Sequence, residues 1–206
     1  MPASSPHHLW TLLKKGNHQA FETIYRQNYP TLFRYAQRLI SDRNLADQGV
    51  QDLFVRIWES RERLADVESP RAYLLTALRR ELLAQKKSLS LMIPISGQRL
   101  AGFTYSPQDL YIQQEDQENY QQQVASALNK LPIRQREAIY LKFYEELSYP
   151  EVAKVMGVQY QSVVNFIYRG LQALKEDSEL QKIVNVCPVS IEHAILILMI
   201  LTDFFG

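Results

Sequence analysis

Apolar residues in this chain recur at intervals of three and four and hardly ever alternate. That spacing builds one apolar stripe along a helix and does not suit half-buried strands. Punctuation is sparse, with seven glycines and nine prolines in 206 residues. At 46% apolar and 22% charged residues, the chain can supply a core for one large or two small globular domains. The expected fold class is all-α.

The same composition removes several kinds of function. The single cysteine, Cys187, cannot cross-link the fold. The N-terminal stretch lacks the basic start, apolar centre and small-residue cleavage site of a secretory signal, so a cytoplasmic protein is expected. His7, His8, His18 and His193 stand with no cysteine or acid at metal-ligand spacing, and neither a glycine-rich phosphate loop nor a nucleophile elbow is present. No metal, cofactor, small-molecule substrate or enzymatic activity is expected. A formal net charge of +1 is small for a protein that holds DNA unaided, because sequence-independent affinity comes from lysine and arginine neutralising phosphates. Any DNA contact is then local or assisted by a partner.

Turn signals divide the chain. Leu9 to Lys15 forms a short amphipathic segment that stops at Gly16, and Asn17 caps a helix carrying Phe21, Ile24 and Tyr25. Asn28-Tyr29-Pro30 reads as a break before a second helix with Leu32, Phe33, Ala36, Leu39 and Ile40 inward. After a polar turn, Leu45 to Leu64 sets Ala46, Val50, Leu53, Phe54, Ile57 and Trp58 on an apolar stripe. Ser69-Pro70 opens the helix from Arg71 to Lys87, with Ala72, Leu75, Leu78, Leu82 and Leu83 inward. Residues 9–87 make one helical domain on this reading, and 88–106, rich in Pro, Gly and Ser and without period, a flexible linker. Residues 107–180 form a second helical domain, with helices opening at Ser106-Pro107, Leu131-Pro132 and Ser148.

Leu147 to Lys175, LSYPEVAKVMGVQYQSVVNFIYRGLQALK, has helix-turn-helix spacing. Ser148 and Glu151 make a capping box, Ala153 is small where two helices would cross, and Gly157 supplies the left-handed turn. Val152, Met156, Val158, Val163 and Phe166 form a small core. The second helix exposes Gln159, Tyr160, Gln161, Ser162, Val164, Asn165, Tyr168 and Arg169; Gln, Asn and Arg can pair with base edges in a major groove. From residues alone, a helical hairpin with a polar surface stands beside this reading.

Leu131 to Lys175 resembles region 4 of the sigma-70 family of RNA polymerase subunits. Phe21 to Leu64 followed by Ser69 to Leu83 resembles region 2 of that family, and the absence of further domains resembles its small, extracytoplasmic-function (ECF) group. The resemblance implies a sigma factor that binds the polymerase core through the largest subunit's clamp helices and the flap region, contacts promoter DNA, and answers to an anti-sigma factor. It implies that Asp47, Gln48, Gln51, Asp52 and Arg56 lie in the core-docking segment. It places the loop from Arg61 to Ser69 at the minus-10 element, with Arg71, Tyr73, Arg79, Arg80, Lys86 and Lys87 of the basic helix. The second helix of the pair would read the minus-35 element. A stand-alone helix-turn-helix regulator is the alternative.

Departures from the family pattern matter. Asp47-Gln48-Gly49 stands where the family has an acidic pair and an aliphatic residue, and a mid-helix glycine costs roughly 1 kcal/mol relative to alanine. Arg80 replaces an asparagine, Gln159 a capping serine and Val164 a basic residue, so the promoter sequence does not transfer. The tail 181–206 contains an apolar run, Ala194 to Leu201, shorter than the roughly 20 residues of a membrane span. It is expected to pack as a last helix, with partner docking or membrane-surface contact as alternatives.

Overall fold

The computed structural model describes residues 5–40, 42–92, 102–106 and 117–181, with backbone alone at 87–92 and 117–120. Among these residues there is helix and connection but no strand. The chain divides into two compact units, the first built on four helices and the second on those after Phe103.

In the first unit, α1 (Pro6–Lys14), α2 (His18–Leu39), α3 (Arg43–Glu59) and α4 (Pro70–Met92) surround one core. The turn from α1 to α2 is set by backbone chemistry. Gly16 adopts φ +80°, Asn17 N–H donates back to the Leu12 carbonyl at 3.1 Å, and the Asn17 side chain then accepts from Ala20 N–H at 2.9 Å. Asp42 caps α3 in the same manner, accepting from Asn44 and Leu45. A single-turn 3₁₀ helix, Arg61–Arg63, follows α3.

Several expectations for this unit change: Phe33 and Ile40, expected inward, are half-buried, and the helix expected over Leu45 to Leu64 ends at Glu59. Asn28-Tyr29-Pro30 is no break, because α2 runs through Pro30 without interruption. Proline removes one amide donor, but its ring faces solvent, and the apolar face that α2 buries against α1, α3 and α4 outweighs the lost bond. Leu83 points outward at 37% exposure, and the buried position that periodicity missed is Leu74. Trp58 is half-buried rather than core, lying against His18 at 4.5 Å and Phe21 at 5.0 Å between ring centroids.

Gly49 acquires a reason. A Cβ there would sit 2.5 Å from a Leu82 methyl, so the glycine sets how closely α3 crosses α4.

The second unit holds α5 (Gln117–Lys130), α6 (Ile133–Ile139), a π-helical turn Tyr140–Tyr144, α7 (Tyr149–Met156) and α8 (Tyr160–Glu176). Its core includes Phe103 and Tyr105, which sequence reading assigned to the linker. Tyr105 exchanges two hydrogen bonds with the Asn129 side chain, at 2.9 and 2.8 Å, and its ring lies against Tyr140 and Tyr144. Two aromatic residues alternating with small polar ones carry no helical period, which is why the pattern hid them.

The start of the helix expected at Pro107, the middle of the linker, Cys187 and the apolar tail lie outside the described residues.

Candidate nucleic-acid interface

The expected helix-turn-helix forms from α7 and α8. Ser148 donates from both its backbone N–H and its hydroxyl to Glu151 at 2.8 and 2.6 Å, which completes one arm of the capping box. At the other end of α7, Gly157 takes φ +64°. Val158 N–H reaches the Ala153 carbonyl at 3.1 Å while Gly157 N–H reaches Lys154 at 3.3 Å. A Cβ on Gly157 would meet nothing, so the glycine is there for its backbone angle and not for space.

α8 is anchored by Val163, Ile167, Gly170, Leu171 and Leu174. Val158 and Phe166, expected in the core, are half-buried, and the buried stripe continues beyond Phe166 through Ile167, Gly170, Leu171 and Leu174. A Cβ on Gly170 would lie 2.8 Å from Ile139, so α8 crosses α6 closely. The opposite face carries Gln161, Asn165, Tyr168, Arg169 and Gln172, all exposed, with Tyr160 at its start 53% exposed. Ser162 and Val164 are half-buried flanks, and Gln159 caps the helix through its backbone with no side-chain bond. The side chains of Gln161, Asn165 and Arg169 make no hydrogen bond or ion pair among the described residues.

In the first unit the polar face of α3 is wired to its own scaffold. The Tyr29 hydroxyl donates to Asp47, whose second oxygen accepts from Gln51 at 3.1 Å. Donating to that carboxylate, and then burial, push the Tyr29 phenol up to about 12. Arg56 pairs with Glu81 of α4. Burial holds the Glu81 carboxyl above its ordinary value, with Arg56 opposing. Gln48 is exposed and Asp52 half-buried. Beside this face a groove of about 710 Å³ opens between α2 and α3, lined by Phe21, Tyr25, Phe54, Val55 and Trp58 with Glu22 and Glu59 at its rim.

The basic helix α4 is less open than its composition suggests. Arg80 is exposed, whereas Arg71, Tyr73 and Arg79 are half-buried. Lys86 donates to the Leu39 carbonyl at 3.4 Å and so caps α2, and burial lowers its pKa. The Lys87 side chain lies outside the described residues. Tyr73 meets Trp10 edge-on at 5.3 Å. Neither Trp10 nor Tyr29 figured among the sequence-derived site residues; each contacts such a residue from a different helix, which spacing along one helix cannot reveal.

No cluster of metal-ligating side chains occurs among the described residues, and none of the described helices is long and apolar enough to cross a membrane.

Comparison with known families decides the assignment. A family model described as Sigma-70 region 2 matches residues 24–90, and one described as Sigma-70, region 4 matches residues 121–174, in the order of the two units. The chain belongs to the sigma-70 family.

This sigma factor is similar to ECF RNA polymerase sigma factor SigX of Bacillus subtilis, 24% identical over 79% of this chain and 85% of the relative. It is similar also to SigL of Mycobacterium tuberculosis, 24% identical over 74% and 85%, and to the ferric citrate uptake sigma factor FecI of Escherichia coli, 27% identical over 74% and 87%. Among solved structures, CnrH in complex with the cytosolic domain of CnrY aligns at TM-score 0.57 and 23% identity, covering 84% of this chain and 96% of that one. The sigma factor RpoE in complex with the anti-sigma factor NepR, from Bartonella quintana, aligns at 0.55 and 23%, covering 76% and 94%. These two share the fold. The chain is thus an ECF-type sigma factor, acting with RNA polymerase core and promoter DNA in transcription initiation.

Proposed function

We propose that α8 reads the minus-35 element in the major groove, that the loop from Arg61 to Ser69 with α4 engages the minus-10 element, and that α3 docks on the clamp helices of the polymerase. The observation that carries this reading is the face of α8, where Gln161, Asn165 and Arg169 stand exposed at helical spacing on a helix fixed from behind. The chain itself performs no chemistry; the polymerase does. Its place of work is the cytoplasm, with the enzyme it directs.

A weak net charge of +1 supports a division of labour in which polymerase supplies most phosphate contact and this chain supplies sequence preference. Melting a promoter costs a few kcal/mol for each base unstacked, so the free protein binds promoter DNA weakly and the holoenzyme binds it well. The two solved relatives are held by an anti-sigma factor or by the cytosolic domain of CnrY, which supports a restraining protein partner here.

Run-off transcription from a randomised promoter library, with bacterial core polymerase in the presence and absence of the protein, tests the reading. Protein-dependent transcripts sharing spaced minus-35 and minus-10 elements are expected; transcripts without any shared upstream element would refute it.

A further inference from the structure

The connection from α3 to α4 is short of backbone bonds. Between the 3₁₀ turn and α4, Ala65 to Glu68 exchange no backbone-to-backbone hydrogen bond among the described residues. Ala65, Asp66 and Glu68 are exposed. A loop of this kind usually samples several arrangements, because nothing in its own backbone selects one. This one is held by side chains from elsewhere, chiefly from α1.

Trp10, 2% exposed, donates its indole N–H to the Ala65 carbonyl at 3.1 Å. Its ring meets Tyr73 of α4 edge-on. One turn later, Lys14 pairs with Asp66 at 2.5 Å and holds that carboxyl below its usual range. At the other end of the loop, Arg61 stacks on Trp58 at 4.6 Å and donates to the Trp58 carbonyl at 2.8 Å, and Leu64 is buried. The middle of the loop thus rests on two contacts from one nine-residue helix that itself lies outside the recognition elements.

We propose that Trp10 and Lys14 are positioning residues for minus-10 recognition: α1 braces the loop so that its exposed edge is preformed when a base leaves the duplex stack. The inference rests on the reading that this loop meets the minus-10 strand. Unstacking a base is already costly, and a loop that must also order itself would add that cost to the same step. Lys14 has a second effect, since it neutralises a carboxylate that would otherwise stand next to phosphates.

The test uses holoenzyme assembled from core polymerase and the full chain, on single-stranded non-template oligonucleotides that carry the selected minus-10 element or single-base changes in it. The ratio of affinities for the matched and mismatched oligonucleotides is the readout, with core affinity and thermal stability measured alongside. Trp10→Phe keeps an aromatic ring and deletes the N–H donor; a fall of about fivefold in the ratio is expected, the size of one lost hydrogen bond. Lys14→Met should lower it about twofold, as expected for an exposed ion pair, and Lys14→Arg should restore it. Minus-35 preference and core affinity should stay unchanged.

Val67→Ala and Glu68→Ala, in the loop itself, separate the two claims. If these shift the ratio while Trp10→Phe and Lys14→Met leave it intact, the bracing role is wrong and the loop assignment stands. If none of the four shifts it, both fall.

Discussion

The polar faces of α3 and α8 differ in what their side chains are already doing. On α3, Asp47 is held by Tyr29 and Gln51, and Arg56 is engaged by Glu81. On α8, Gln161, Asn165 and Arg169 have no partner among the described residues. A prewired face loses little conformational freedom when another protein covers it, which suits docking on a fixed polymerase surface. An unwired face keeps its donors and acceptors available for base edges, where matched pairs give discrimination. On the proposed reading, the docking face of α3 and the reading face of α8 thus differ in how far their side chains are already committed.

The largest test of that division is structural. Phe103→Ala should destabilise the second unit by about 3–5 kcal/mol, because it empties a buried aromatic site that the sequence presented as tether. Thermal unfolding followed by calorimetry would show it, and the first unit should melt as before. Gly49→Leu, which restores the aliphatic residue that the family carries, should cost about 1–3 kcal/mol in the first unit by forcing Leu82 aside. A neutral result there would mean that α3 and α4 can separate more readily than their packing indicates.

Asn165→Ala should be of similar size but confined to binding: about 1–3 kcal/mol at one minus-35 position, with no change in melting temperature. Equal loss at every promoter would instead mark a general contact. The smallest effect is expected from Tyr29→Phe, about 0.5–1 kcal/mol of first-unit stability, with promoter preference preserved. Its pH dependence has a defined sign. The folded-state value of about 12 lies above the ordinary 10, so this stabilisation is complete below pH 10 and disappears as pH rises toward 12. Denaturation curves of the wild type and Tyr29→Phe should therefore converge only in strong alkali.

Much of the fold was legible because helices bury a periodic stripe. The capping signals at Asn17 and Ser148 and the turn glycines Gly16 and Gly157 act within a few residues of themselves, and each behaves as the sequence implies. What escaped depends on contacts distant along the chain. Pro30 is tolerated because α2 is held by three other helices, and Gly49 matters because Leu82 lies against it. The Lys86 ammonium donates to the Leu39 carbonyl at the end of α2, a partner 47 residues away that spacing along α4 does not reveal. The same reason hid Trp10 and Tyr29, whose partners lie on other elements. The exposure of Gln161, Asn165 and Arg169 on α8 was readable for the opposite reason, since it follows from spacing along a single helix.

On the proposed reading, promoter preference resides in this chain but is expressed only with polymerase. Footprinting of a selected promoter by the chain alone, core alone and the two together tests it most directly. Protection of spaced minus-10 and minus-35 elements is expected only when both are present. Strong protection of duplex DNA by the chain alone, on paired half-sites and unchanged by core polymerase, would contradict it and favour a stand-alone regulator.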